Sequence, residues 1–123
     1  MKRIQSAGVA MIAGLGALFC APVAHAEETV TYEISSNSVG VLPFLQYRDT
    51  SGKHLLRDVP LPWTLTVPVV DARSPTADGA ELRADWRPIL QGQFVTVRIT
   101  KGGDVLCESM LDLGNAACYG SVP

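Results

Sequence analysis

From Thr29 to Tyr119 the chain is a succession of short runs rich in β-branched and aromatic residues. Gly, Pro, Asn or Asp breaks them roughly every ten residues. That rhythm constrains the fold more than any other feature. Successive side chains of a strand point to opposite faces. Trp63-Thr64-Leu65-Thr66-Val67 therefore turns Trp63, Leu65 and Val67 inward and its threonines outward. Val30, Tyr32 and Ile34 share one face of 29–34, and Ala80, Leu82, Ala84 and Trp86 share one face of 80–86. Further strands are expected over 41–48, 54–58, 94–100 and 105–110, with a short C-terminal piece at Cys118-Tyr119. Asp49-Thr50-Ser51-Gly52 and Lys101-Gly102-Gly103-Asp104 read as hairpin turns. Pro43 lacks an N–H and belongs at a strand start, an edge or a bulge; Pro68 predicts a bulge before Val69-Val70. No stretch sustains a 3.6-residue apolar repeat of helical length. The expectation is an all-β, immunoglobulin-like antiparallel β-sandwich of about seven strands.

The N-terminus reads differently. Met1-Lys2-Arg3 precedes a charge-free stretch over 7–24, then Ala24-His25-Ala26 and Glu27-Glu28. A positive start, an apolar centre and small residues at −3 and −1 describe a secretory signal cleaved after Ala26. Residues 1–26 are thus read as signal peptide and 27–123 as one sandwich domain, exported to the periplasm, the cell envelope or the medium. The alternative is an uncleaved anchor, since the apolar stretch is about long enough to span a bilayer. Cys20 and His25 belong to the signal, and bulky Phe19 beside Cys20 disfavours lipidation there.

Two cysteines remain in the domain, Cys107 and Cys118. In an exported domain they read as one disulfide. Gly114-Asn115 offers a reversal that would join two short strands and bring the sulfurs together. No C-x-x-C supports a redox pair, and two cysteines plus His54 fall one ligand short of a closed metal site. No cofactor motif is present. Net charge is −2 and becomes more negative once Lys2 and Arg3 are lost. This excludes a basic nucleic-acid binder, and as a whole-molecule property it argues against attraction to an anionic membrane. Membrane association is expected only if the N-terminal segment stays uncleaved.

Catalytic candidates are few. His54 is the lone histidine beyond residue 26, next to a hairpin turn, and no G-x-S-x-G occurs. Asp85, Glu108 and Asp112 have no distinguishing context, and Gly102-Gly103 precedes a strand rather than a helix. The chain is read as non-enzymatic, without catalytic, metal or cofactor residues. Trp63 and Trp86 lie in phase with apolar neighbours and read as core. In Asp58-Val59-Pro60-Leu61-Pro62-Trp63 the prolines restrict the backbone. This is a rigid corner, or a docking surface of Pro60, Pro62 and Trp63.

Val30-Thr31-Tyr32-Glu33-Ile34, Gln46-Tyr47-Arg48-Asp49-Thr50-Ser51-Gly52 and Asp58-Val59-Pro60-Leu61-Pro62-Trp63-Thr64-Leu65 resemble, in that order, motifs of the MmpS family of small mycobacterial membrane proteins. Val97-Arg98-Ile99 followed by Gly102-Gly103-Asp104-Val105 is similar to that family's C-terminal hairpin. The resemblance covers most of 29–105. It implies a β-sandwich outside the inner membrane and an accessory role beside a lipid or siderophore exporter, with the transporter or an envelope lipid as partner. The family keeps an N-terminal anchor, whereas this chain has a cleavage site. It also carries a cysteine where this chain has Val97. A secreted binding module or antigen-like protein without a transporter is the alternative.

Overall fold

A computed structural model describes residues 27–89 and 91–121. The signal expected at 1–26, with Cys20 and His25, lies outside the described residues. Eight strands follow: β1 (Glu28–Ser36), β2 (Val41–Asp49), β3 (Gly52–Pro60), β4 (Trp63–Val69), β5 (Glu81–Asp85), β6 (Val95–Lys101), β7 (Asp104–Leu111) and β8 (Asn115–Tyr119). They form two four-stranded sheets, ordered β4-β1-β6-β7 and β3-β2-β5-β8. Every pairing is antiparallel, and no helix occurs among the described residues. The chain is an all-β sandwich with one strand beyond the expected seven. The piece around Cys118 is a full edge strand, paired with β5 from Asp85↔Asn115 to Glu81↔Tyr119.

The topology is immunoglobulin-like with one rearrangement. In an immunoglobulin domain one sheet runs A-B-E-D and the other contains C-F-G. Here β2, β5 and β8 occupy the C, F and G places, and β1 pairs with β4 as B pairs with E. The flank of β1 that strand A would fill is taken by the β6–β7 hairpin, which enters between β5 and β8. Its turn has both glycines at positive φ (Gly102 +59°, Gly103 +91°), the backbone of a two-residue hairpin.

Between the sheets lie Val30, Tyr32 and Ile34 of β1, Val95, Val97 and Ile99 of β6, and Leu42, Leu45, Leu82 and Ala84 of the facing sheet. Each of these larger aliphatics contributes roughly 1.5–3 kcal/mol by leaving water. Tyr32 adds a polar tie. Its hydroxyl donates to the Arg48 carbonyl (2.6 Å) and accepts the Glu81 N–H (3.2 Å). The β2–β5 ladder runs from Phe44↔Asp85 to Tyr47↔Leu82. Arg48 and Glu81 would form its next rung, so the hydroxyl of the opposite sheet stands in that rung. Burial pushes the Tyr32 phenol up from 10.0 to about 12, against the opposing effect of both hydrogen bonds.

Pro43 falls inside the central strand β2, where both flanks tolerate it. The ladder to β5 stops at Phe44, and across β3 its opposite number is Asp58, which holds a left-handed φ of +54°. The alternation flips there. Leu42 and Leu45 both face inward while Phe44 faces out. Pro68 produces no bulge. It lies within the edge strand β4, opposite Thr29, and its carbonyl accepts the Thr50 N–H from outside the sheet (3.0 Å). A proline is accepted at an edge because the donor it lacks would have faced solvent.

The disulfide is present, but its geometry differs from expectation. Cys107 and Cys118 are bonded with a Cα–Cα distance of 5.7 Å. They lie on β7 and β8, the edges of different sheets. Gly114 therefore begins a crossover rather than a hairpin, and the bridge staples the two sheets along one flank. The opposite flank is closed by the corner from β3 to β4.

Candidate functional site

The register places Glu27, the β2–β3 and β6–β7 turns and the 70–80 loop at one end of the sandwich. The connections over 37–40 and 61–62, the described residues of 86–89 and 91–94, and 112–114 lie at the other end. That far end is the more apolar. Ile89 is 78% exposed, Leu113 72% and Val41 54%.

An apolar groove of about 400 Å³ opens there, walled by Pro43, Phe44, Trp86, Pro88 and Gly114, with Asp85 and Arg87 at its rim. Trp86 follows β5 in the same alternation that buries Leu82 and Ala84, and is 7% exposed. Its indole N–H is buried with no hydrogen-bond partner among the described residues. Buried indole N–H groups ordinarily find an acceptor. The Trp86 backbone N–H donates to the Gly114 carbonyl (2.8 Å), which docks the 112–114 crossover on the groove. Gly114 has φ +99°, and a Cβ there would sit 3.1 Å from Pro88 and 3.2 Å from the Trp86 carbonyl. A second cavity, of about 290 Å³, lies beside the same indole, against Val39, Val41, Pro43 and Ile89. The depression of about 660 Å³ over Pro88, Ile89, Gln91, Asp112 and Leu113 is open and more polar-walled.

Pro60, Pro62 and Trp63 sit at this end but not in the groove wall. Both prolines are exposed, and the Leu61 N–H ties the corner to the Gly40 carbonyl (2.9 Å). Trp63 is half-buried, its ring 6.0 Å from that of Tyr47. Trp86 is thus a core residue that also borders a cavity, whereas Trp63 packs on the core from the rim.

At the opposite end Asp49, Ser51 and His54 form a cluster that invites comparison with a hydrolytic triad. His54 Nε2 lies 2.9 Å from Asp49 Oδ1 and 3.1 Å from Ser51 Oγ. A relay needs the carboxylate on one ring nitrogen and the nucleophile on the other. Here one nitrogen meets both, and the Ser51 hydroxyl donates to the same Asp49 oxygen (2.7 Å). The group is a clasp on the β2–β3 turn, with His54 stacked on Tyr47 at 4.8 Å. Burial alone would raise the Asp49 carboxyl. Hydrogen bonds from His54 and Ser51 outweigh it and hold the carboxyl below its usual range. No group of residues suited to a metal occurs among the described residues.

Sequence reading missed two features. One is the groove, because a strand expected over 41–48 gives no sign that Phe44 turns outward until the irregularity at Pro43 and Asp58 is seen. The other is Glu81, a buried carboxylate that Arg48 meets at 3.0 Å and Gln46 at 3.2 Å. A glutamate inside the alternating Ala80-x-Leu82-x-Ala84 pattern was the signal for it.

Fold and site together define a disulfide-stapled all-β sandwich with an apolar groove at the end away from Glu27. Neither the scan against protein-family models nor the search of curated proteins returns a match to this chain. No helix among the described residues is long and apolar enough to cross a membrane.

Proposed function

We propose that this is an exported, non-enzymatic domain that works by binding in the cell envelope, resembling the MmpS-type accessories of lipid and siderophore exporters. The observation that carries the reading is the groove beside Trp86. It is apolar, it holds a buried donor without a partner, and it lies at the far end of the domain from Glu27. A domain tethered through Glu27 would carry that groove at the end opposite the tether, open to cargo or to the periplasmic part of a transporter. The inter-sheet disulfide fits an oxidising compartment. The order of the Tyr32-Glu33, Tyr47-Arg48-Asp49 and Leu61-Pro62-Trp63 motifs supports the family resemblance. Affinity capture of the full chain from envelope membranes tests it. Enrichment of a large exporter is expected, and its loss on Trp86→Ala would tie the partner to the groove. Capture without any transporter would contradict the accessory role.

Ala24-His25-Ala26 favours a second reading, a secreted binding module without a transporter. Intact mass of the native protein separates the two. A culture-filtrate species starting at Glu27 supports the secreted module, and a membrane species retaining 1–26 supports the tethered accessory.

A further inference from the structure

The outer face of the β3-β2-β5-β8 sheet is charged in a way the net charge conceals. Its register sets Arg57 beside Phe44 and Asp85, Leu55 beside Gln46 and Arg83, and Lys53 beside Arg48. Arg48 and Lys53 are directed at Glu81, at 3.0 and 3.7 Å. Arg57 and Arg83 meet no carboxylate among the described residues. Arg57 lies 4.8 Å above the Phe44 ring, and Arg83 donates to the Tyr119 hydroxyl (3.3 Å). Arg48 and Glu81 neutralise each other beneath the 70–80 loop, which leaves Lys53, Arg57 and Arg83 against Asp85 and the exposed Asp58, so the face keeps a positive excess on a chain whose net charge is −2. Between the cations Leu55, Phe44 and Tyr119 stand out from the sheet, 54%, 39% and 37% exposed.

We infer that this face is a docking surface for the anionic headgroups of a lipid bilayer. Uncompensated guanidinium groups around a protruding Leu and Phe suit a headgroup layer, where the cations meet phosphate and the apolar side chains enter the acyl boundary. Arg is suited to phosphate because its planar fork makes paired hydrogen bonds. Breadth favours a bilayer over a single extended peptide, since the exposed cations and apolar side chains come from adjacent strands β3, β2, β5 and β8. Two grooves flank the face, one beside Phe44 and Asp85 and the other beside Arg48 and Glu81. The opposite outer face carries threonines, Met110 and a Glu33–Arg98–Glu108 cluster, in which the one arginine is flanked by two carboxylates. Attraction to an anionic surface would therefore orient the domain with the β3-β2-β5-β8 sheet down. The inference is independent of the exporter reading, because vesicle binding and transporter capture can each fail alone.

The test is co-sedimentation of the 27–123 domain, whose core is complete within the described residues, with vesicles of phosphatidylcholine alone or mixed with phosphatidylglycerol. Binding is expected only to the mixed vesicles, and raised salt should weaken it. Arg57→Gln with Arg83→Gln should reduce it on the order of tenfold or more. Thr66→Glu with Thr100→Glu makes the same charge change on the other face and should leave most binding intact. Far-ultraviolet circular dichroism checks that each variant folds. Equal losses from both variants would mean that only net charge matters, and would overturn the inference. Absence of vesicle binding, with an oligoglutamate peptide binding instead and released by the Arg variant, would overturn it in favour of an acidic protein partner. No binding to either probe would overturn it outright.

Discussion

Each sheet carries a Glu–Arg pair on its outer face, and the two pairs are not equivalent. Glu33 and Arg98 lie 2.7 Å apart on the β4-β1-β6-β7 sheet, with side chains 37% and 42% exposed. Glu81 and Arg48 lie 3.0 Å apart on the β3-β2-β5-β8 sheet, 9% and 15% exposed. The difference comes from what covers them. The first pair stands in open water among threonines. The second is roofed by the 70–80 loop, whose Ala77 carbonyl accepts a hydrogen bond from Arg48 (3.1 Å), and is underpinned by Tyr32 from the other sheet. Contact distance alone therefore does not rank ion pairs; removal from water does. A buried carboxylate and guanidinium depend on each other, while exposed partners lose little when separated.

The sharpest way to break the comparison is Glu81→Ala. It strands a mostly buried guanidinium and should cost about 3 kcal/mol, read as a fall in the urea midpoint at constant m. Next comes Tyr32→Phe. It leaves the Arg48 carbonyl and the Glu81 N–H without their shared partner and should cost roughly 1–3 kcal/mol. The same variant has a pH signature. The folded-state phenol titrates above its unfolded value, so the stability linked to it is full below pH 10.0 and is lost as pH rises toward about 12. Tyr32→Phe should lack that part of the alkaline fall in an unfolding series.

Asp58 holds its left-handed φ of +54° beside the point where Phe44 and Arg57 turn outward. Asp58→Val forces a β-branched residue into the left-handed region and should lose about 1–2 kcal/mol. Asp58→Gly should be close to neutral, because it relieves backbone strain while making the unfolded chain more flexible. Equal behaviour of the two in thermal unfolding would remove the strain argument. The smallest effect belongs to Glu33→Ala, at about 0–1 kcal/mol and screened by salt. A loss from Glu33→Ala as large as that from Glu81→Ala would dissolve the contrast between the faces.

Much of this architecture was legible in the residues. The period-2 pattern of Trp63-Thr64-Leu65-Thr66-Val67 and of 80–86 gave the correct inward faces, and the two glycine-bearing turns fell where read. These signals are local. What stayed hidden depends on which strand joins which sheet. Cys107 and Cys118 looked like a hairpin pair because sequence distance is small between them, yet the chain changes sheets at Gly114. Net charge is a sum over the whole chain. It does not reveal that Arg57, Arg83, Arg48 and Lys53 converge on one face, since β3, β2 and β5 become neighbours only after folding. Pro43 announced an irregularity, but only its pairing with Asp58 explains why Phe44 leaves the core. The groove was illegible for the same reason, being assembled from β2, the end of β5 and the β7–β8 crossover.

Binding proposed for the β3-β2-β5-β8 face and the adjoining Trp86 groove should be visible in the amide protons of both. Amide hydrogen exchange of the 27–123 domain, with and without envelope membranes from its host, tests this most directly. New protection is expected in β3, at Phe44 and over 86–89, with the Thr31 and Thr66 region unchanged. Protection confined to the β4-β1-β6-β7 sheet, or none at all, would contradict it.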